Sequence, residues 1–140
     1  MVKYLRDKAA ALAIARLLVV GAITKGRKGE ELAEVGDMAS EGIVGISDDG
    51  APVMNSQVMR RALEYAKIFD LPVISHPEDT DLSARGLMHE GYVSTLLGLR
   101  GIPAAAEEAM VARDIALAEL TGGRLHLTHL SAKNSIELVR

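Results

Sequence analysis

Apolar residues along the chain fall into two alternating patterns. Stretches with apolar positions three and four apart predict amphipathic helices, and short unbroken apolar runs predict buried strands. Residues 3–16 follow the first pattern, with Leu5, Ala9, Leu12 and Ala13 recurring between charged positions. Residues 17–23 (LLVVGAI) follow the second and predict a parallel strand buried on both faces. A basic, glycine-rich loop over 24–29 leads to a predicted helix over 30–41. Leu32, Val35 and Met38 form its apolar face, and Gly42 ends it.

The same pair of patterns then repeats. Residues 43–47 predict a strand, stopped by Asp48, Asp49 and Gly50. Asn55 or Ser56 can cap a helix running to Phe69, with Val58, Ala62, Tyr65, Ala66 and Phe69 on its apolar face. Residues 71–75 predict the next strand, which ends at His76. Residues 77–102 read as a long glycine-containing loop with local helix around 94–99, and loops of that length in compact domains usually carry function. Pro103 opens an Ala/Glu/Leu-rich helix to about Leu120, closed by Gly122 and Gly123. Residues 124–130 predict a fourth strand, and 131–140 begin a last helix. Four strand–helix units in succession predict the α/β class, with a mostly parallel sheet and helical crossovers. No linker or shift in composition divides the chain, and no sequence repeat accompanies the repeated units.

Composition narrows the picture. The chain has 140 residues, 49% hydrophobic and 25% charged, the mix of a globular domain. Aromatic residues are 3%, with no Trp and a single Phe, so the core must be aliphatic. Sixteen basic against nineteen acidic residues give a net charge of −3, which argues against a nucleic-acid partner. With so few aromatics, base-stacking platforms are not expected either. The absence of cysteine removes disulfides and thiolate metal ligands. The apolar run over 9–20 is interrupted by Arg16, is too short to span a bilayer and lacks a signal-cleavage pattern, so no membrane role and a cytoplasmic location are expected.

In parallel α/β folds, sites form at the carboxyl ends of the strands. Those ends here carry Thr24 and Lys25, Asp48 and Asp49, His76, and His129. Carboxylate with imidazole suits zinc and similar divalent ions. An Asp after a strand is commonly a turn residue or helix cap, and a lone His is commonly structural; it is their recurrence at the same end of three strands that points to a metal. His126 and His129 are three residues apart, so in one continuous strand they face opposite ways. His129, nearer the carboxyl end, is the candidate, and His126 is expected to pack against a helix. His89 in the long loop is expected to be a surface or structural residue. Asp48 and Asp49 also alternate, so only one should face the site. Lys25 could be a carboxylated metal-bridging lysine, but Arg27 and Lys28 beside it favour a plain basic loop. Dinucleotide, P-loop, nucleophile-elbow and H-E-x-x-H motifs are absent.

The segments GAITKGRKGEELAE, GISDDGAPVMNSQVMRRALEYAK, PVISHPED, GLRGIPAAAEEAMVARDIALAE and RLHLTHLSAKNSIELVR together resemble bacterial class I dihydroorotases of the amidohydrolase superfamily. The resemblance covers residue 18 to the end, and the ordered set S-D-D-G, H-x-E-D and H-x-x-H-x-S makes it specific. It implies a metal-dependent (β/α)8 TIM barrel, of which this chain supplies about strands 3 to 6 as an incomplete domain. It makes Asp49, His76 and His129 the metal ligands, on barrel strands 4, 5 and 6, and implies one or two Zn2+ per intact site. Glu78 and Asp79 would hydrogen-bond around the ligands or within the loop. Pro77 stands where many members have Cys, which leaves the ligands intact.

The family's H-x-H pair on strand 1, which supplies two further metal ligands, the arginine beside it, a substrate-binding Asn and the strand 8 Asp that serves as ligand and general base have no counterpart here. No catalytic base is therefore assignable in this chain, and residues 1–140 alone are expected to be inactive. The resemblance implies reversible cyclisation of N-carbamoyl-L-aspartate to L-dihydroorotate in pyrimidine synthesis, through metal-assisted chemistry at an amide with a carboxylate moving the proton. Open apolar edges at the 17–23 and 125–130 strands predict self-association or pairing with a complementary segment. The alternative is a non-catalytic dihydroorotase-like scaffold of aspartate transcarbamoylase, but such relatives lose metal ligands. Allantoinases and hydantoinases usually carry lysine where Asp49 stands.

Overall fold

The carboxyl ends of three neighbouring strands lie side by side, and the rest of the fold explains why. A computed structural model describes residues 1–12 and 14–140. Its strands are β1 (Val20–Gly21), β2 (Gly45–Ser47), β3 (Val73–Ser75), β4 (Met88–His89), β5 (Gly101–Ile102) and β6 (Leu125–Leu127). The helices are α1 (Val2–Leu12), α2 (Val35–Ser40), α3 (Ser56–Ile68), α4 (Thr80–Ser83), α5 (Tyr92–Leu97), α6 (Ala105–Thr121) and α7 (Lys133–Val139). Strands β1, β2, β3 and β6 form one sheet in that order, and every pairing is parallel. The register aligns Ile46 with Val73 and Val73 with Leu125, so the strands end nearly level. The α/β class and the parallel sheet predicted from the sequence are both present.

Helix α3 shows how the sequence builds the core. The Asn55 side chain accepts hydrogen bonds from the amides of Gln57 and Val58 at 2.9 and 3.2 Å, which fixes the helix start. Val58, Met59, Ala62, Leu63 and Ala66 are buried on the face toward the sheet. They meet Ile23, Ile46 and Val73, with Val35, Ile43, Val53 and Leu71 closing the cluster. Tyr65 and Phe69, expected on this face, sit instead at its rim, edge to face with centroids 5.4 Å apart. Helix α6 covers the next stretch of sheet through Ala106, Met110 and Val111, and ends at Gly122 with φ +63°, a left-handed closure that favours glycine.

The structure corrects several boundaries. Helix α1 spans Val2–Leu12 rather than 3–16, and Ala13 lies outside the described residues. The strand expected over 17–23, buried on both faces, is the short edge strand β1. Among the described residues it pairs on one side only, and Leu17, Leu18 and Val20 are exposed. The helix expected over 30–41 begins only at Val35. Residues before it fold back on the end of the first strand instead: the Ala33 amide donates to Ile23 O at 2.9 Å and the Lys25 amide to Glu31 O at 2.9 Å. The long 77–102 loop holds α4, α5 and a small parallel pair, β4 with β5. The strand expected over 124–130 stops at Leu127.

Asp48 locks the first two strand ends together. Its buried carboxylate accepts from the Ile23 amide at 2.8 Å, the Thr24 amide at 3.1 Å and the Thr24 hydroxyl. Replacing it leaves those donors buried and unpaired, each a penalty of about 1–3 kcal/mol. Asp48→Ala is expected to destabilise the protein by about 3 kcal/mol or more in urea unfolding; a loss below about 1 kcal/mol would show that the clamp contributes little.

Candidate metal centre

Asp49, His76 and His129 converge beyond the ends of β2, β3 and β6. One ligand-type atom from each lies within 4.8 Å of the others. Asp49 Oδ1 is 3.0 Å from His76 Nδ1 and 3.4 Å from His129 Nε2. The two imidazole rings are 4.6 Å apart at their centroids and tilted by 42°. The donor set is one carboxylate and two imidazoles, the chemistry that zinc and similar borderline ions favour. Two ligands about 2.1 Å from a tetrahedral ion lie about 3.4 Å apart, so the observed spacings around Asp49 Oδ1 fit such an ion.

Local structure accounts for each position. Asp49 follows the Asp48 clamp; its amide donates to Ser47 Oγ at 3.1 Å and its carbonyl accepts from Arg27 Nη1 at 2.8 Å. Of the two aspartates, Asp48 is the buried structural one, and Asp49, in the turn that follows β2, is the exposed one that joins the cluster. His76 continues directly from β3. His129 takes a different route from the one expected: it lies past the end of its strand, in a turn with φ +57°. That left-handed conformation costs a non-glycine residue about 1–3 kcal/mol and is typical of functional sites.

The remaining candidates divide clearly. His126, expected to pack against a helix, is exposed on the edge strand β6, in a shallow groove beside Ile115 and Leu138. Lys25 pairs with Glu31 at 2.7 Å and stands outside the cluster. Thr24 is buried against Asp48. Asp79 caps α4 through the amides of Asp81 and Leu82, both at 3.0 Å. Glu78 Oε2 lies 4.0 Å from His76 Nε2. His89 is exposed as expected, but it lines a cavity of about 260 Å³ together with His76, His129, Glu78 and Glu107. Strand β4 carries it there, so it is more than an unconnected surface residue.

Two acidic side chains of α6 escape the strand-end logic. Buried Asp114 accepts from Ser75 Oγ at 2.6 Å and from Arg113 Nε and Nη2 at 2.9 and 2.7 Å. Burial pushes its carboxyl above the usual range, and Arg113 and Ser75 work against that rise. Glu107 accepts from the Ser131 amide and hydroxyl at 2.9 and 2.7 Å and from the Ala132 amide at 3.0 Å. Burial pushes Glu107 up, but the hydrogen bonds from Ser131 and Ala132 outweigh it, and its carboxyl sits below the usual value. The sequence did hold a signal: Asp114 falls in the apolar stripe of Ala106, Met110 and Val111, where a charge needs a partner.

Strand-end carboxylate and imidazole groups on a parallel α/β sheet define a candidate metal-dependent site. Residues 1–135 match the family model described as "Dihydro-orotase-like", and the chain belongs to that family. It is 64% identical over 121 residues to the dihydroorotase of Pelotomaculum thermopropionicum, covering 86% of this chain and 28% of that protein. It is 57% identical over 137 residues to the dihydroorotase of Syntrophobacter fumaroxidans, covering 98% of this chain and 31% of the relative. Identity to the dihydroorotase of Acetivibrio thermocellus is 54% over 140 residues, 100% of this chain and 33% of the relative. The chain thus spans about a third or less of the curated relatives it matches.

The hydrogen bond to His76, reinforced by the charge of His129 and opposed by desolvation, holds the Asp49 carboxyl below its ordinary value of 3.8. A lowered carboxylate contributes stability that is present above the unfolded value and is lost as pH falls through the folded one. Carbon-detected NMR of metal-free protein is expected to show Asp49 titrating below 3.8 and returning toward it in His76→Ala. An unshifted midpoint in the unchanged protein would contradict the His76 contact.

Proposed function

We propose that this chain supplies part of the metal site of a dihydroorotase, with Asp49, His76 and His129 as ligands to zinc. The observation that carries the reading is the convergence of these three side chains from successive parallel strand ends. The sequential strand order β1-β2-β3-β6 supports a segment of a (β/α)8 barrel wall, because a doubly wound sheet would reverse its order. Exposed Leu17, Leu18 and Val20 beside β1, and Leu138 and Val139 near β6, support a sheet that continues at both edges. The domain would therefore be completed by further strands.

The reaction is the reversible cyclisation of N-carbamoyl-L-aspartate to L-dihydroorotate, a step of pyrimidine synthesis in the cytoplasm. Zinc would polarise the amide carbonyl and bring the pKa of water toward neutrality. The protein's own contribution is placement. Asp49 Oδ1 stands between the two imidazoles, His76 presents Nδ1 and His129 presents Nε2. The cavity lined by His76, His89 and Pro103 adjoins these atoms and is the substrate's place. No general base is assigned within this chain: Asp49 is engaged by both rings, and Glu107 is taken up by Ser131 and Ala132. Retention of all three ligand-type residues speaks against a non-catalytic scaffold of aspartate transcarbamoylase.

In the native polypeptide, Asp49→Asn, His76→Ala and His129→Ala are each expected to lower kcat/KM for dihydroorotate hydrolysis at least ~100-fold and to reduce bound zinc. Full activity and zinc content in any of the three would remove that residue from the site. Residues 1–140 expressed alone are expected to elute as self-associated species without turnover. A sharp, stable monomer in gel filtration would argue against the open-edge reading.

A further inference from the structure

Each of the three site residues follows a residue that is itself locked in place. Asp49 follows Asp48, clamped to Ile23 and Thr24. His76 follows Ser75, whose hydroxyl donates to Asp114 at 2.6 Å. His129 follows Thr128, whose amide and hydroxyl both donate to the Ser75 carbonyl, at 2.9 and 3.0 Å. The residues preceding the two imidazoles are therefore bonded to each other, and through Ser75 to α6. On the far side of His129, Glu107 binds Ser131 and Ala132. Glu107 and Asp114 are seven residues apart, two turns along one face of α6.

We propose that Asp114 and Glu107 are positioning residues that align the His76 and His129 rings, with α6 as the rail that carries both. Asp114 sets the end of β3 ahead of His76 and, through the Ser75 carbonyl, the end of β6 ahead of His129. Glu107 holds the turn after His129, so a residue in a left-handed conformation is gripped on both sides. Asp114 is in turn fixed by Arg113, which also donates to the carbonyls of Val53 and Met54 at 2.8 and 3.1 Å. A buried ion pair is a poor source of net stability compared with well-packed apolar groups. Its value lies in direction: Arg113 Nε and Nη2 both donate to Asp114 Oδ1, which fixes the carboxylate plane and leaves Oδ2 to accept from Ser75. Outer hydrogen bonds of this kind hold ring orientation in metal sites.

The proposal depends on the metal-site reading above only for what the rings are aligned to hold. Its test uses Ser75→Ala and Glu107→Gln in the native polypeptide. Ser75→Ala cuts the link while leaving the Arg113–Asp114 pair in place, and if one variant fails to fold the other decides. Two quantities are read: Co2+ affinity by titration of the visible absorption bands, and the His76–His129 centroid separation in metal-free crystals, 4.6 Å in the unchanged protein. Expected results are a 10–100-fold loss of Co2+ affinity and rings displaced by about 1 Å or more, with the cooperative melt retained. Unmoved rings with Co2+ affinity within about twofold would overturn the proposal. If the unchanged protein takes up no Co2+, the metal reading fails, and ring displacement alone decides: moved rings uphold the positioning role and unmoved rings end it.

Discussion

The buried carboxylate of Asp48 ties the end of one strand to the end of the next, and the site depends on locks of this kind. A parallel sheet leaves the last amides and carbonyls of each strand without strand partners, and buried groups of that sort must be satisfied somehow. Here side chains satisfy them. Asp48 takes the amides of Ile23 and Thr24, Thr128 takes the carbonyl of Ser75, and Asp114 takes the Ser75 hydroxyl. Asp48, Ser75 and Thr128 each sit one residue before a side chain of the candidate site. At His76 the alternation of an extended chain turns the locking residue inward and the next one out to the site, whereas Asp49 and His129 reach it from turns that follow their locks.

This arrangement also explains how an aliphatic core can hold polar groups. The core cluster is built from Ile, Val, Leu, Met and Ala. Asp48 and Asp114 are fully enclosed beside it, and each is met by several donors. Such groups add little net stability, but removing one partner is costly because the other is left buried. The result is a set of strand ends with one permitted arrangement, and that is what a metal site with defined donor spacing requires.

Much of this was legible in the sequence. The strand–helix alternation, the Asn55 cap, the Gly122 closure and the two histidines of the cluster follow from periodicity and from where imidazole groups fall, whereas the choice of Asp49 over Asp48 rests on the family resemblance. What escaped was non-local. The run at 17–23 looks like a strand buried on both faces, yet β1 has a partner on one side only, and composition does not reveal what lies beside a strand. Residues 30–34 have helical spacing, but backbone pairing with residues 23–25 wins over propensity. Nearness to the carboxyl end points to His129, but its route through a left-handed turn is fixed by Thr128, Ser131 and Ala132. His89 has no local partner, and only the pairing of β4 with β5 brings it to the cavity.

The proposed function requires Asp49, His76 and His129 to hold a metal ion between the strand ends. Anomalous diffraction at the zinc edge, from crystals of the native polypeptide grown with zinc, tests it most directly. The account predicts a peak about 2.0–2.2 Å from an Asp49 carboxylate oxygen, His76 Nδ1 and His129 Nε2. A fully occupied peak away from these atoms, with the three side chains left unligated, would contradict it.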